Sequence, residues 1–107
     1  MREPTYYMLT ALLDGPLHGY GIIKRVEELS EGRIRLAAGT LYGALDRLTE
    51  EGDIAVDREE EVNGRRRRYY RLTSRGETSL AAEVTRMQAA IRATGTRFVA
   101  TEPGTAT

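Results

Sequence analysis

The chain has 107 residues with no cysteine and no tryptophan, and its 16 basic residues balance 16 acidic ones. That length suits one domain with a short appendage, a size class that often borrows stability from oligomerisation. The lack of cysteine excludes disulfides, thiolate metal sites and thiol nucleophiles and fits a reducing cytoplasm; Met1-Arg2-Glu3-Pro4 leads into no long apolar stretch, so neither a signal peptide nor a membrane span is expected.

Thr5 to Leu13 reads as a first helix, largely buried because Tyr6, Tyr7, Met8, Leu9, Leu12 and Leu13 put apolar groups on most of its sides. Asp14-Gly15-Pro16 supplies turn chemistry to end it. A second helix is predicted from His18 to Leu29, with Ile22, Ile23, Val26 and Leu29 at three- and four-residue spacing on its apolar face. Ser30-Glu31-Gly32 breaks it, and the alternation Ile34-Arg35-Leu36 suggests a short strand. A third helix is expected from Thr40, a good N-cap, to Glu51, with Leu41, Leu45 and Leu48 as its buried stripe and Gly52 as its C-terminal cap.

Asn63-Gly64 then stands between two alternating runs, a strong short-range signal for a β-hairpin. Ile54 and Val56 are expected to face the core from one strand, and Tyr70 and Leu72 from the other. Arg65, Arg67, Tyr69 and Arg71 fall on the opposite face, while Arg68 shares the parity of Tyr70. Ser74-Arg75-Gly76-Glu77 has the spacing of a capping box, with Thr73 as the rival cap. A last helix runs to about Phe98, and its Leu80, Val84, Met87, Ile91 and Phe98, with Thr94 filling one step, follow the four-three rhythm of a coiled-coil seam. The sequence therefore predicts a mainly α (α+β) winged helix-turn-helix with a two-stranded wing: a DNA-binding domain over 1–75, a dimerisation helix over 76–98 and a disordered tail over 99–107.

Neutrality overall conceals a concentrated basic segment. Arg65, Arg66, Arg67, Arg68, Arg71 and Arg75 occur with no acid among them, and Asp57, Glu59, Glu60 and Glu61 crowd just before them. Such a run forms either a solvated face paired across the hairpin or a set of phosphate contacts, and the arginines outnumber the nearby carboxylates.

Gly15-Pro16-Leu17-His18-Gly19-Tyr20-Gly21-Ile22, Gly39-Thr40-Leu41-Tyr42-Gly43-Ala44-Leu45-Asp46-Arg47-Leu48 and Gly64-Arg65-Arg66-Arg67-Arg68-Tyr69-Tyr70-Arg71-Leu72-Thr73 resemble, in order, the start of helix two, the recognition helix and the wing of PadR-family transcriptional regulators. The single short last helix resembles the compact branch of that family. The resemblance implies a cytoplasmic, nucleoid-associated homodimer on double-stranded DNA with a palindromic operator, usually a repressor. Some members release DNA on binding a small aromatic effector; the tryptophan-stacked pocket used for this in part of the family has no counterpart in a chain without tryptophan.

On that reading Thr40 caps helix three and reaches phosphate, Tyr42 packs on sugar and bonds a phosphate oxygen, and Leu41 either touches a thymine methyl or belongs to the core stripe. Tyr20 and Lys24 contact the backbone from helix two, beside the small residues Gly19 and Gly21. Arg65, Arg66 and Arg67 grip phosphate or a narrow minor groove from the wing. His18, the lone histidine, has no second histidine or cysteine to build a metal site with and reads as a helix-start residue. With no nucleophile motif, paired carboxylates or nucleotide-binding glycine loop, neither an enzyme nor a cofactor is expected. The rival function is a protein-binding module that uses the winged shape without DNA; net neutrality favours it and the all-arginine wing speaks against it.

Overall fold

A computed structural model describes residues 1–98; the tail expected over 99–107 lies outside the described residues. The order is α1 (Glu3–Ala11), β1 (Leu17–His18), α2 (Gly19–Leu29), α3 (Ala38–Glu51), β2 (Ile54–Val62), β3 (Arg65–Leu72) and α4 (Ser74–Ala93). The three strands form an antiparallel sheet in the order β1-β3-β2. Met8, Leu9, Leu12, Ile22, Val26, Leu41, Leu45, Leu48, Ile54, Tyr70 and Leu80 close one core beneath it. No helix among the described residues is long and apolar enough to cross a membrane.

α1 begins two residues before the predicted Thr5, because Pro4 lies in the first turn, where its fixed φ is already helical and its missing N–H is not needed. α2 starts as expected: His18 is its N-cap, with Nδ1 accepting from the Gly21 N–H at 3.3 Å. The strand expected at Ile34–Leu36 does not form. Alternation there only turns Ile34 and Leu36 inward; one edge of β3 is already taken by Leu17–His18 and the other by β2. The buried hydroxyl of Ser30 ties this loop to α2 instead, donating to the Glu27 carbonyl and accepting from the Ile34 N–H.

α3 also starts early. Its N-cap is Ala37, which provides no side-chain bond, so Thr40 lies inside the first turn and is not the cap. Gly52, at φ +84°, takes the left-handed C-cap that a residue with a Cβ enters at a cost. In the wing, Asn63 and Gly64 both have positive φ (52° and 76°), as a type I′ turn requires.

A register shift between Val56 and Arg58 bulges β2 where the hairpin leaves the core. Ile54 is buried, but Val56 is 40% exposed and not the core residue that alternation predicts. Thr73 caps α4: its hydroxyl accepts from the Gly76 N–H at 3.0 Å and donates to the Gly52 carbonyl at 2.6 Å, leaving Ser74 as the first helical residue.

α4 ends at Ala93, short of the predicted Phe98, with Gly95 in positive φ just beyond. Leu80 is only 5% exposed and belongs to the chain's own core, so it is unavailable to a second chain. Val84 and Met87 are half-buried, Ile91 is exposed, and Phe98, 82% exposed, stands past the helix. Glu83, which the sequence pattern does not mark, is buried; Arg86 holds its carboxylate at 2.7 Å, keeping the carboxyl below the usual range.

Candidate nucleic-acid interface

β1 is what brings the site together. Its two residues pair with the base of the wing, Leu17 opposite Tyr70 and His18 opposite Tyr69, so the start of α2 is held against β3. The exposed face of α3 forms the facing wall. Between them lies a cleft of about 860 Å³, lined by His18, Gly19 and Tyr20 from the α2 side, Tyr42 and Asp46 from α3, and Arg65, Arg66, Arg67 and Arg68 from the wing.

Tyr20 and Tyr42 are 65% and 54% exposed. Large amphipathic rings held this far into solvent are available for contact rather than for packing. Tyr42 leans over α2 at Gly19: a Cβ built there would stand 3.0 Å from the Tyr42 hydroxyl and 3.2 Å from Leu41 Cδ2, so a small residue at 19 lets the two helices meet. The ring of His18 stacks near Tyr20 (6.5 Å, 9°) and meets Tyr69 edge-on (5.4 Å, 87°). Lys24 Nζ lies 5.8 Å over the Tyr20 ring and Arg58 4.0 Å over Tyr69, so cations flank the aromatic row. Burial first, and the charge of Arg67 second, lower the pKa of His18 and favour its neutral form.

Cross-strand partners in the wing are Glu59–Arg68, Glu60–Arg67, Glu61–Arg66 and Val62–Arg65. The ion pairs follow this register only in part. Glu59 takes both Arg66 and Arg68, at 3.3 and 3.2 Å, whereas Asp57 and Glu60 are engaged by Arg58 on their own strand. Among the described residues no carboxylate lies within 4.0 Å of the Arg65 or Arg67 guanidinium. The cleft-facing wing thus keeps an excess of positive charge although the chain is neutral.

Of the residues singled out for DNA contact, Tyr20, Lys24, Thr40, Tyr42, Arg65, Arg66 and Arg67 are exposed. Leu41 is not: at 0% exposure it fills the core beneath α3, and contact with a thymine methyl is closed to it. The sequence reading missed Asp46 and His18 in the lining of the cleft, and Tyr69 edge-on to His18. Asp46 is one helical turn beyond Tyr42, a spacing that could have revealed it; His18 and Tyr69 meet only through the pairing of β1 with β3, for which a two-residue strand leaves no periodic signal.

Three helices, a short β1 and an arginine-rich hairpin beside an exposed third helix define a winged helix-turn-helix protein. The family of PadR-like transcriptional regulators matches residues 8–82, and the chain belongs to that family. It is 35% identical over 77 residues to the transcriptional regulator Rv3488 of Mycobacterium tuberculosis, covering 72% of this chain and 68% of that one. A 41-residue stretch is 56% identical to an uncharacterised 37.1 kDa protein of transposon TN4556 from Streptomyces fradiae, covering 38% of this chain and only 11% of that protein. Bacillus subtilis PadR, solved in complex with operator DNA, shares the fold with a TM-score of 0.69 at 23% identity, over 99% of this chain and 53% of that one.

Proposed function

We propose that this regulator is a homodimeric repressor that grips a palindromic DNA operator with two wings and two α3 helices in the cytoplasm, at the nucleoid. The observation that carries this reading is the cleft itself, where the exposed Tyr42 of α3 and the exposed Arg65 and Arg67 of the wing border one space of about 860 Å³. Phosphate neutralisation by arginine supplies affinity without sequence preference, and a recognition helix beside it supplies register and reading. The operator complex of Bacillus subtilis PadR lends support through the shared fold. Dimerisation is supported by the unpartnered apolar groups along the end of α4, where Met87 and Val84 are half-buried and Ile91 is 69% exposed.

The test is selection from random duplexes at two salt concentrations, with sequencing of the bound fraction. A palindrome with half-sites about one helical turn apart, bound more weakly at high salt, supports the reading. Salt-sensitive binding with no enriched sequence would reduce the chain to a non-specific DNA binder. No binding at either salt would favour the protein-interaction module.

A further inference from the structure

α3 offers the cleft two side chains, Tyr42 and Asp46. Gly39 and Gly43, on the exposed surface of the same helix, present no side chain at all, and a Cβ at either would meet open space. Tyr42 leans toward Gly19, its hydroxyl 3.0 Å from where a Cβ would stand, and that neutral hydroxyl both donates and accepts, so it suits phosphate as well as bases. Arg47, next along the helix, is drawn away by Glu51 at 3.8 Å and the Thr5 hydroxyl of α1 at 3.4 Å. The Asp46 carboxylate is the charged group that α3 offers the cleft; among the described residues no cation pairs with it within 4.0 Å, although four arginines line the opposite wall.

A carboxylate in this position is repelled by phosphate and has no proton to donate. In the major groove the donors open to it are the amino groups of cytosine and adenine, and a carboxylate suits cytosine N4, whereas an amide suits the donor–acceptor pair of adenine. With arginine on one wall of the cleft to take phosphate, a carboxylate on the other wall is suited to base edges rather than to the backbone.

We propose that Asp46 is a specificity-determining residue that accepts a hydrogen bond from the amino group of a cytosine at one position of each operator half-site. This rests on the operator-binding reading above and deepens it.

The experiment repeats the duplex selection with the intact chain, Asp46→Ala and Asp46→Asn, and measures affinity for the selected duplex and for an unrelated one. Far-UV circular dichroism and thermal melting establish that each exposed-site variant is folded. The wild-type chain should enrich a half-site with an invariant cytosine. Asp46→Ala should lose preference at that position alone, on the order of tenfold in discrimination, while binding unrelated DNA at least as tightly because a repulsive charge is gone. Asp46→Asn should move the preference toward adenine. A wild-type motif that passes unchanged to both folded variants overturns the role of Asp46 and leaves operator binding standing. A wild-type chain that enriches no motif overturns operator binding, and this role with it.

Discussion

The backbone of Gly76 lies so close to Asp53 that a Cβ at position 76 would stand 2.1 Å from the Asp53 carbonyl oxygen and 2.7 Å from Leu72 Cδ1. The same carbonyl accepts from the Thr73 N–H at 3.1 Å, and Thr73 in turn bridges Gly52 and Gly76. The start of α4 is therefore seated on the end of α3 by backbone contact, with no room for a side chain. Gly76→Ala should destabilise the fold by about 2–3 kcal/mol, since backbone rather than a flexible side-chain tip must move. In a domain this size that lowers Tm by roughly 10 °C or more. A melting curve within 2 °C of wild type would show that α4 can lift off without loss.

The uneven pairing of the wing arginines separates their contributions to DNA affinity. Arg65 and Arg67 have no carboxylate within 4.0 Å among the described residues, while Arg66 and Arg68 share Glu59. Arg65→Ala and Arg67→Ala should each flatten the log–log salt dependence of binding by up to about 0.9, one phosphate contact apiece. Arg66→Ala should change it less, because that guanidinium must first leave Glu59. Glu59→Gln should steepen the slope by releasing two arginines at once. Titrations at four salt concentrations read all of these, and equal slopes for every variant would take the wing out of the interface.

Much of this organisation is legible in the sequence where a local rule has one solution. Gly52 after the apolar stripe of α3 and Asn63-Gly64 between two alternating runs mark their own backbone conformations, and positive φ appears at all three. The rules fail where a distant partner decides. Ile34–Leu36 alternates like a strand but only turns Ile34 and Leu36 inward, with both edges of β3 already taken, and Val56 has the parity of a core residue but follows the hairpin out into solvent. Leu80 lies in rhythm with Ile91, yet α4 is long enough to leave the domain midway, so one rhythm covers both a core position and an open one. The cleft is harder still to foresee, because His18 reaches Tyr69 only through β1.

His18 links stability to pH. Its Nδ1 accepts the Gly21 N–H, which only the unprotonated nitrogen can do, and burial together with Arg67 lowers its pKa in the folded chain. The unfolded chain therefore holds the proton to higher pH than the folded one. The stabilisation is complete above the ordinary histidine range, near about pH 6.5, and is lost as pH falls through that range toward the lowered folded value. Tm should decline from pH 8 to pH 5 for wild type, and His18→Asn, which keeps an N-cap acceptor but does not titrate, should decline less. Parallel Tm–pH curves for the two proteins would assign the acid sensitivity elsewhere.

Along α4, the contrast between Leu80 and Ile91 separates folding from pairing. Leu80, 5% exposed, fills the core; Ile91, 69% exposed, is open to solvent. Leu80→Ala should cost about 2–5 kcal/mol of fold stability by leaving a cavity. Ile91→Asp should leave the secondary structure of a single chain intact but remove about 1.5–3 kcal/mol of apolar burial from a dimer interface, a tenfold or greater rise in the dimer dissociation constant. Because pairing itself stabilises folded protomers in proportion to concentration, the two effects are told apart by melting each variant at several concentrations beside sedimentation equilibrium. Leu80→Ala should lower Tm at every concentration. Ile91→Asp should bring Tm down to a floor that no longer depends on concentration, while the mass falls toward that of one chain. A wild-type protein that sediments as a single chain throughout would show that the exposed end of α4 is not a pairing surface.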